Sequence, residues 1–147
     1  MTSDALATAV MRQAGRFIGL REVKPNADWD NPSTAGPDRA LVEELRSLMR
    51  SSPWEPGWAY CAAFCEGMVL AALRSLSATP EQIKRWQSAM TPHCVTSAAN
   101  FGKLRLLSPT AAPGGIWLAR HGSTNNGHAG IVTAVRGLSM STIEGNT

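Results

Sequence analysis

Three residue types at three places in this chain could together break an amide bond. Cys61 stands in WAYCAAFCEGMV, where a tryptophan- and proline-rich stretch gives way to an apolar, alanine-rich run that reads as a helix. A thiol at a helix start faces unpaired N–H groups and the positive end of the macrodipole, both of which favour the nucleophilic thiolate. His128 opens the strand-like HAGIVTAV 67 residues downstream, and Glu144 and Asn146 follow in TIEGN. A cysteine hydrolase needs this set: a thiolate, an imidazole that pairs with it and later protonates the leaving amine, and a polar group that fixes the ring. Gly127 and Gly130 flank His128 and allow close backbone approach, so something is expected to fill the space beside the ring. Spacing alone leaves the bland readings open: a buried cysteine, a structural histidine, and turn residues at Glu144 and Asn146.

The other chemistry-bearing residues give weaker patterns. Cys65 lies one helical turn beyond Cys61, between Phe64 and Met68, and reads as core; Cys94 also reads as structural. With three cysteines at least one thiol stays free in a monomer, and a Cys65–Cys94 bridge is the only intramolecular one that spares Cys61; even that bridge is not expected. Cys61, Cys65, His93 and Cys94 lack the paired-ligand spacing of a structural zinc site, so no metal and no cofactor are expected. Asp28, Asp30 and Asn31 alternate as calcium-loop ligands do, but the turn glycine and distal glutamate are missing, and solvated carboxylates fit better. Trp54, Trp58, Trp29 and Trp117, with Tyr60, fall in loops or at strand ends, where they line a groove for sugars or peptides or else pack over the core.

The elements that must position these residues are legible in outline. Apolar residues recur at helical spacing from Ala5 to Gly19 behind the capping residues Ser3 and Asp4. A long loop spans Leu20 to Gly36; a second helix starts at Pro37 and ends near Arg50. The third, from Cys61 to about Leu76, is apolar on most sides, as a buried central helix is. Thr79, Pro80 and Gln82 predict a capped fourth helix through Trp86, and a weaker helical patch covers Thr96 to Leu104. After Pro113, GGIWLAR, GHAGIVTAVRG and SMSTIEG read as three strands of an antiparallel meander, which makes the class α+β.

Composition sets bounds. The 147 residues, 44% of them apolar, suit a single domain with a continuous core. A net charge of +3 without any basic block is a weak hint of an anionic partner, which a bacterial wall or a nucleic acid would satisfy equally. MTSDALATAV has no basic region ahead of an apolar core, and no apolar run is long enough to cross a bilayer, so the expectation is a soluble chain without its own secretion signal.

Several motifs together resemble the CHAP-type cysteine amidohydrolases and peptidases. WAYCAAF resembles that family's nucleophile motif, PGGIWLAR its P-G-D-I strand, GHAGIV its histidine strand, TIEGNT its T-I-E-G-N ending, and FIGLREVKPN its segment after the first helix. The resemblance covers nearly the whole chain with the motifs in order. It implies a papain-like fold and cleavage of amide bonds in peptidoglycan, between muramic acid and the stem peptide or within the peptides. Cys61 would then be the nucleophile, His128 the base and later acid, Glu144 the orienting group and Asn146 a further polar support. The Cys61 N–H with a neighbour would bind the oxyanion. Trp54, Trp58, Tyr60 and Trp117 would contact substrate. The implied partner is bacterial peptidoglycan rather than nucleic acid, met by a monomer acting at the wall as a phage lysin, a virion enzyme or an injected toxin. A non-catalytic wall-binding module of the same fold is the alternative, and a transpeptidase using the same acyl-enzyme is a third reading. Tyr60 stands where the family usually has tryptophan or glutamine, and Gly115 replaces its aspartate. The chain ends at Thr147, where relatives commonly continue into further strands, so it reads as a catalytic fragment or a minimal form.

Overall fold

The computed structural model describes residues 2–20, 38–49, 55 and 57–146. The readings made for the loop around Asp28, Trp29, Asp30 and Asn31, for Pro37 and for Trp54 lie outside the described residues. Within them the class is α+β: helices α1 (Ser3–Gly15), α2 (Arg39–Met49), α3 (Cys61–Ser75), α4 (Pro80–Ala89) and α5 (Cys94–Lys103), then strands β1 (Ile116–Arg120), β2 (Gly127–Arg136) and β3 (Ser139–Glu144). Thr2, not Ser3 or Asp4, caps α1 by accepting from the Ala5 N–H, while Asp4 lies in the first turn where the helix dipole favours an acid. The capping box at α4 forms as Thr79 and Gln82 predict, and the helix continues past Trp86 to Ala89.

The core is organised around α3. Every residue from Cys61 to Leu70 is buried, and α1 and α2 pack against the helix with small or aliphatic side chains: Ala9, Val10 and Ala14 from one, Val42, Leu45 and Met49 from the other. Gly67 lets α2 come close, since a Cβ there would stand 3.0 Å from the Leu48 Cβ and 3.2 Å from its carbonyl oxygen. Burying an aliphatic side chain of this kind contributes about 1.5–3 kcal/mol. A helix wrapped this fully is therefore a rigid base for whatever its first turn carries.

The strands form an antiparallel meander in the order β1-β2-β3. Its register pairs Ala119 with His128, Trp117 with Gly130, and Gly130 with Glu144. Paired residues share a face, so Trp117, His128, Gly130 and Glu144 lie together on one side of the sheet. Ile116, Leu118, Ala129, Ile131 and Ile143 alternate with them and join the core. A one-residue slip would exchange the two sets, which is why this apolar alternation fixes the position of His128.

Candidate active site

Cys61 is the first residue of α3. The residue before it, Tyr60, has φ −119° and ψ 9°, and no side chain caps the helix. The Tyr60 side chain therefore does not cover the first turn of α3, whose N–H groups and positive dipole end suit an anion. The Cys61 thiol is only 5% exposed, yet its pKa is lowered to about 5. Hydrogen bonding with Cys94 is the largest cause; burial opposes it; the charge of and a hydrogen bond from His128, and the Ala129 backbone, add to the lowering. Donors converging on the sulfur outweigh desolvation, so the thiolate is the resting form near neutral pH.

His128, near the start of the central strand, is held by its neighbours on that face. Its Nε2 lies 2.9 Å from Glu144 Oε2, with both side chains about four-fifths buried. A carboxylate only accepts, so Nε2 carries the proton, and Nδ1 is the nitrogen left to exchange a proton with the thiol. Thr142, two residues before Glu144 and on the same face, donates its hydroxyl to Glu144 Oε1. Trp117 closes the other side: its indole meets the imidazole edge-on with ring centroids 5.5 Å apart. Gly130 makes room for this arrangement, because a Cβ there would fall 2.5 Å from the Trp117 Nε1 and 2.7 Å from the Glu144 Cγ. The space expected beside His128 is therefore filled by an indole and a carboxylate.

The remaining candidates divide. Trp58 is 44% exposed and its ring lies 6.4 Å from that of His93, near the start of α5. Tyr60 is a correction: expected at a substrate surface, it is buried, and a Cβ on Gly145 would stand 2.9 Å from its ring, so it packs beneath the end of β3. The ring supports the strand that carries Glu144. Asn146 is half-buried in the left-handed region at φ +63°, and no side-chain hydrogen bond joins it to Cys61, His128 or Glu144. Cys65 is fully buried, and burial pushes its thiol pKa up.

Cys94 is the second correction. Expected to be only structural, it is the first residue of α5, and its Sγ lies 3.8 Å from that of Cys61. All three cysteines are free thiols. Hydrogen bonding to Cys61, and then burial, raise the Cys94 pKa, so it acts as donor to the Cys61 thiolate. Neither Cys94 nor Thr142 was singled out in the sequence for the site. Alternation along β3 could have found Thr142, whereas nothing local marks Cys94.

Among the described residues no group of three or more His, Cys, Asp or Glu side chains is arranged to hold a metal ion, and no helix is long and apolar enough to cross a membrane. An open groove of about 400 Å³ on α1, lined by Asp4, Thr8, Arg12 and Leu76 among others, includes none of the site residues. What the arrangement can do chemically is offer a low-pKa sulfur and an oriented imidazole at the start of a helix, within one shared site. Comparison of the chain with protein-family profiles, with curated proteins and with solved structures finds no match.

Proposed function

We propose that this chain is a cysteine hydrolase that cleaves amide bonds in bacterial peptidoglycan, on a papain-like arrangement of the CHAP type. The observation that carries the reading is the convergence of Cys61 from α3, His128 from β2 and Glu144 from β3, with the imidazole paired at 2.9 Å and the thiol pKa lowered to about 5. Structural histidines and cysteines have no need of a depressed thiol beside an oriented ring. The motif resemblance supplies the substrate class, and the net charge of +3 suits an anionic wall.

In this mechanism the Cys61 thiolate attacks the scissile carbonyl and forms a tetrahedral intermediate. Its oxyanion sits against the first-turn N–H groups of α3, where removing one such donor typically costs about 100- to 1000-fold in rate. His128 delivers a proton from Nδ1 to the departing amine, leaving a thioester on Cys61. It then takes a proton from the water that hydrolyses the thioester. Glu144 keeps the ring in one tautomer throughout, and Thr142 keeps Glu144 in place. Trp117 serves as a wall for the imidazole, and Trp58 lies where an exposed indole can meet substrate. The enzyme would act at the wall after release from a cell, by injection, or as part of a virion.

Digestion of purified sacculi tests the reaction class. New amino groups, without new reducing sugar ends, are the expected products, and mass spectrometry of the fragments names the bond. New reducing ends alone would refute the amide reading. The near-complete burial of Cys61 favours one second reading, a non-catalytic wall-binding module. That reading requires Cys61 to be inert to iodoacetamide near neutral pH, whereas the hydrolase requires selective alkylation.

A further inference from the structure

The mechanism above uses one thiol, but two converge. Cys61 and Cys94 are the first residues of α3 and α5, and their sulfurs face each other at 3.8 Å. Disulfide formation requires closing that gap to about 2.05 Å, with no need to bring distant segments together. Cys65 makes no such contact. We propose that Cys61 and Cys94 form an oxidant-sensitive dithiol, which a hydroperoxide converts to a reversible disulfide that takes the nucleophile out of use.

The chemistry balances without any further reagent. The Cys61 sulfur attacks one peroxide oxygen; the S–O bond forms as the O–O bond breaks, and hydroxide leaves. Cys61 is then a sulfenic acid. The Cys94 sulfur attacks the sulfenyl sulfur, forming the S–S bond and breaking the S–O bond, and the Cys94 proton goes with the departing hydroxide as water. Two thiols have lost two electrons and one hydroperoxide has been reduced. A low-pKa thiol beside a second thiol is the arrangement that favours disulfide over irreversible sulfinic acid. Both sulfur-bearing residues are 5% exposed, which admits a water-sized oxidant such as hydrogen peroxide more readily than a bulky disulfide.

Only the consequence for activity rests on the hydrolase reading; bond formation is measured separately. The reduced wild-type protein is treated with hydrogen peroxide, quenched by alkylation, digested and mapped by mass spectrometry. A Cys61–Cys94 linked peptide is expected, with Cys65 recovered as an alkylated thiol. Wall lysis should fall with the same time course and return with dithiothreitol. In Cys94→Ser, peroxide should drive Cys61 to sulfinic acid, and dithiothreitol should restore none of the lost activity. A bridge to Cys65 would overturn the proposal, as would sulfinic acid at Cys61 of the wild type without a disulfide. A disulfide in a protein with no wall activity would uphold the dithiol and overturn the hydrolase reading. The mapping on wild type needs no variant to fold.

Discussion

Between about pH 6 and pH 8 the alkylation rate of Cys61 should stay nearly flat, which an ordinary thiol cannot do. A cysteine with the usual pKa of about 8.5 raises its thiolate fraction about 75-fold over that interval. Cys61, with a pKa near 5, is already ionised at the lower end and should gain only about 1.1-fold. Its burial slows the reagent by the same factor at every pH, so the shape of the profile is decisive and its height is not. The assay is iodoacetamide labelling of the native protein, quantified at each cysteine by peptide mass spectrometry, with the unfolded chain as reference. Cys65 should label only after unfolding, because it is fully buried and its pKa is raised. Cys94→Ala removes the largest cause of the lowering and should shift the midpoint up towards neutral, whereas Cys94→Ser, which keeps a donor, should shift it less. A Cys61 profile that climbs about tenfold per pH unit through neutrality would refute the argument that converging donors outweigh burial.

Other outcomes follow from the same geometry. Glu144→Gln weakens a hydrogen bond to a charged group, typically about 1.5–3 kcal/mol, and should slow wall lysis roughly 10- to 150-fold with little change in melting temperature; an unchanged rate would remove Glu144 from the mechanism. Gly130→Ala places a methyl 2.5 Å from the Trp117 indole nitrogen and 2.7 Å from Glu144, so both must leave their places beside His128. Overpacking of this kind costs about 1–3 kcal/mol, and chemical denaturation should show that loss together with a fall in lysis as large as that of Glu144→Gln. Gly67→Ala pushes on Leu48 at 3.0 Å across the α2–α3 contact; it should destabilise by a similar amount while leaving the Cys61 alkylation profile of the folded protein unchanged.

The parts of the molecule that were legible in the sequence are those set by local chemistry. Thr79, Pro80 and Gln82 specify a helix start by themselves, and a capping box forms there. The glycine-punctuated runs after Pro113 specify three strands, and apolar alternation sets their register, so His128 and Glu144 end on one face. What was missed depends on docking. Cys94 meets Cys61 only because α5 begins two residues earlier than its helical pattern shows and packs so that its first residue faces that of α3. No local pattern encodes the meeting of two helix ends 33 residues apart. Tyr60 illustrates the same limit: an aromatic residue before a helix suits a groove or a core, and the close approach of Gly145 sends this one inside. The sequence points to Ser3 and Asp4 as the first cap, yet the neighbouring Thr2 hydroxyl takes it, because α1 begins at Ser3.

Whether Cys61 is the nucleophile is measured by turnover of purified sacculi by Cys61→Ala beside the wild type. Alanine fits the same space at the start of α3, so the variant should keep its circular dichroism spectrum and cooperative unfolding. Its release of wall amino groups should fall by about a thousandfold or more, to the level left by binding and backbone donors alone. Wild-type turnover by a correctly folded Cys61→Ala would contradict the account.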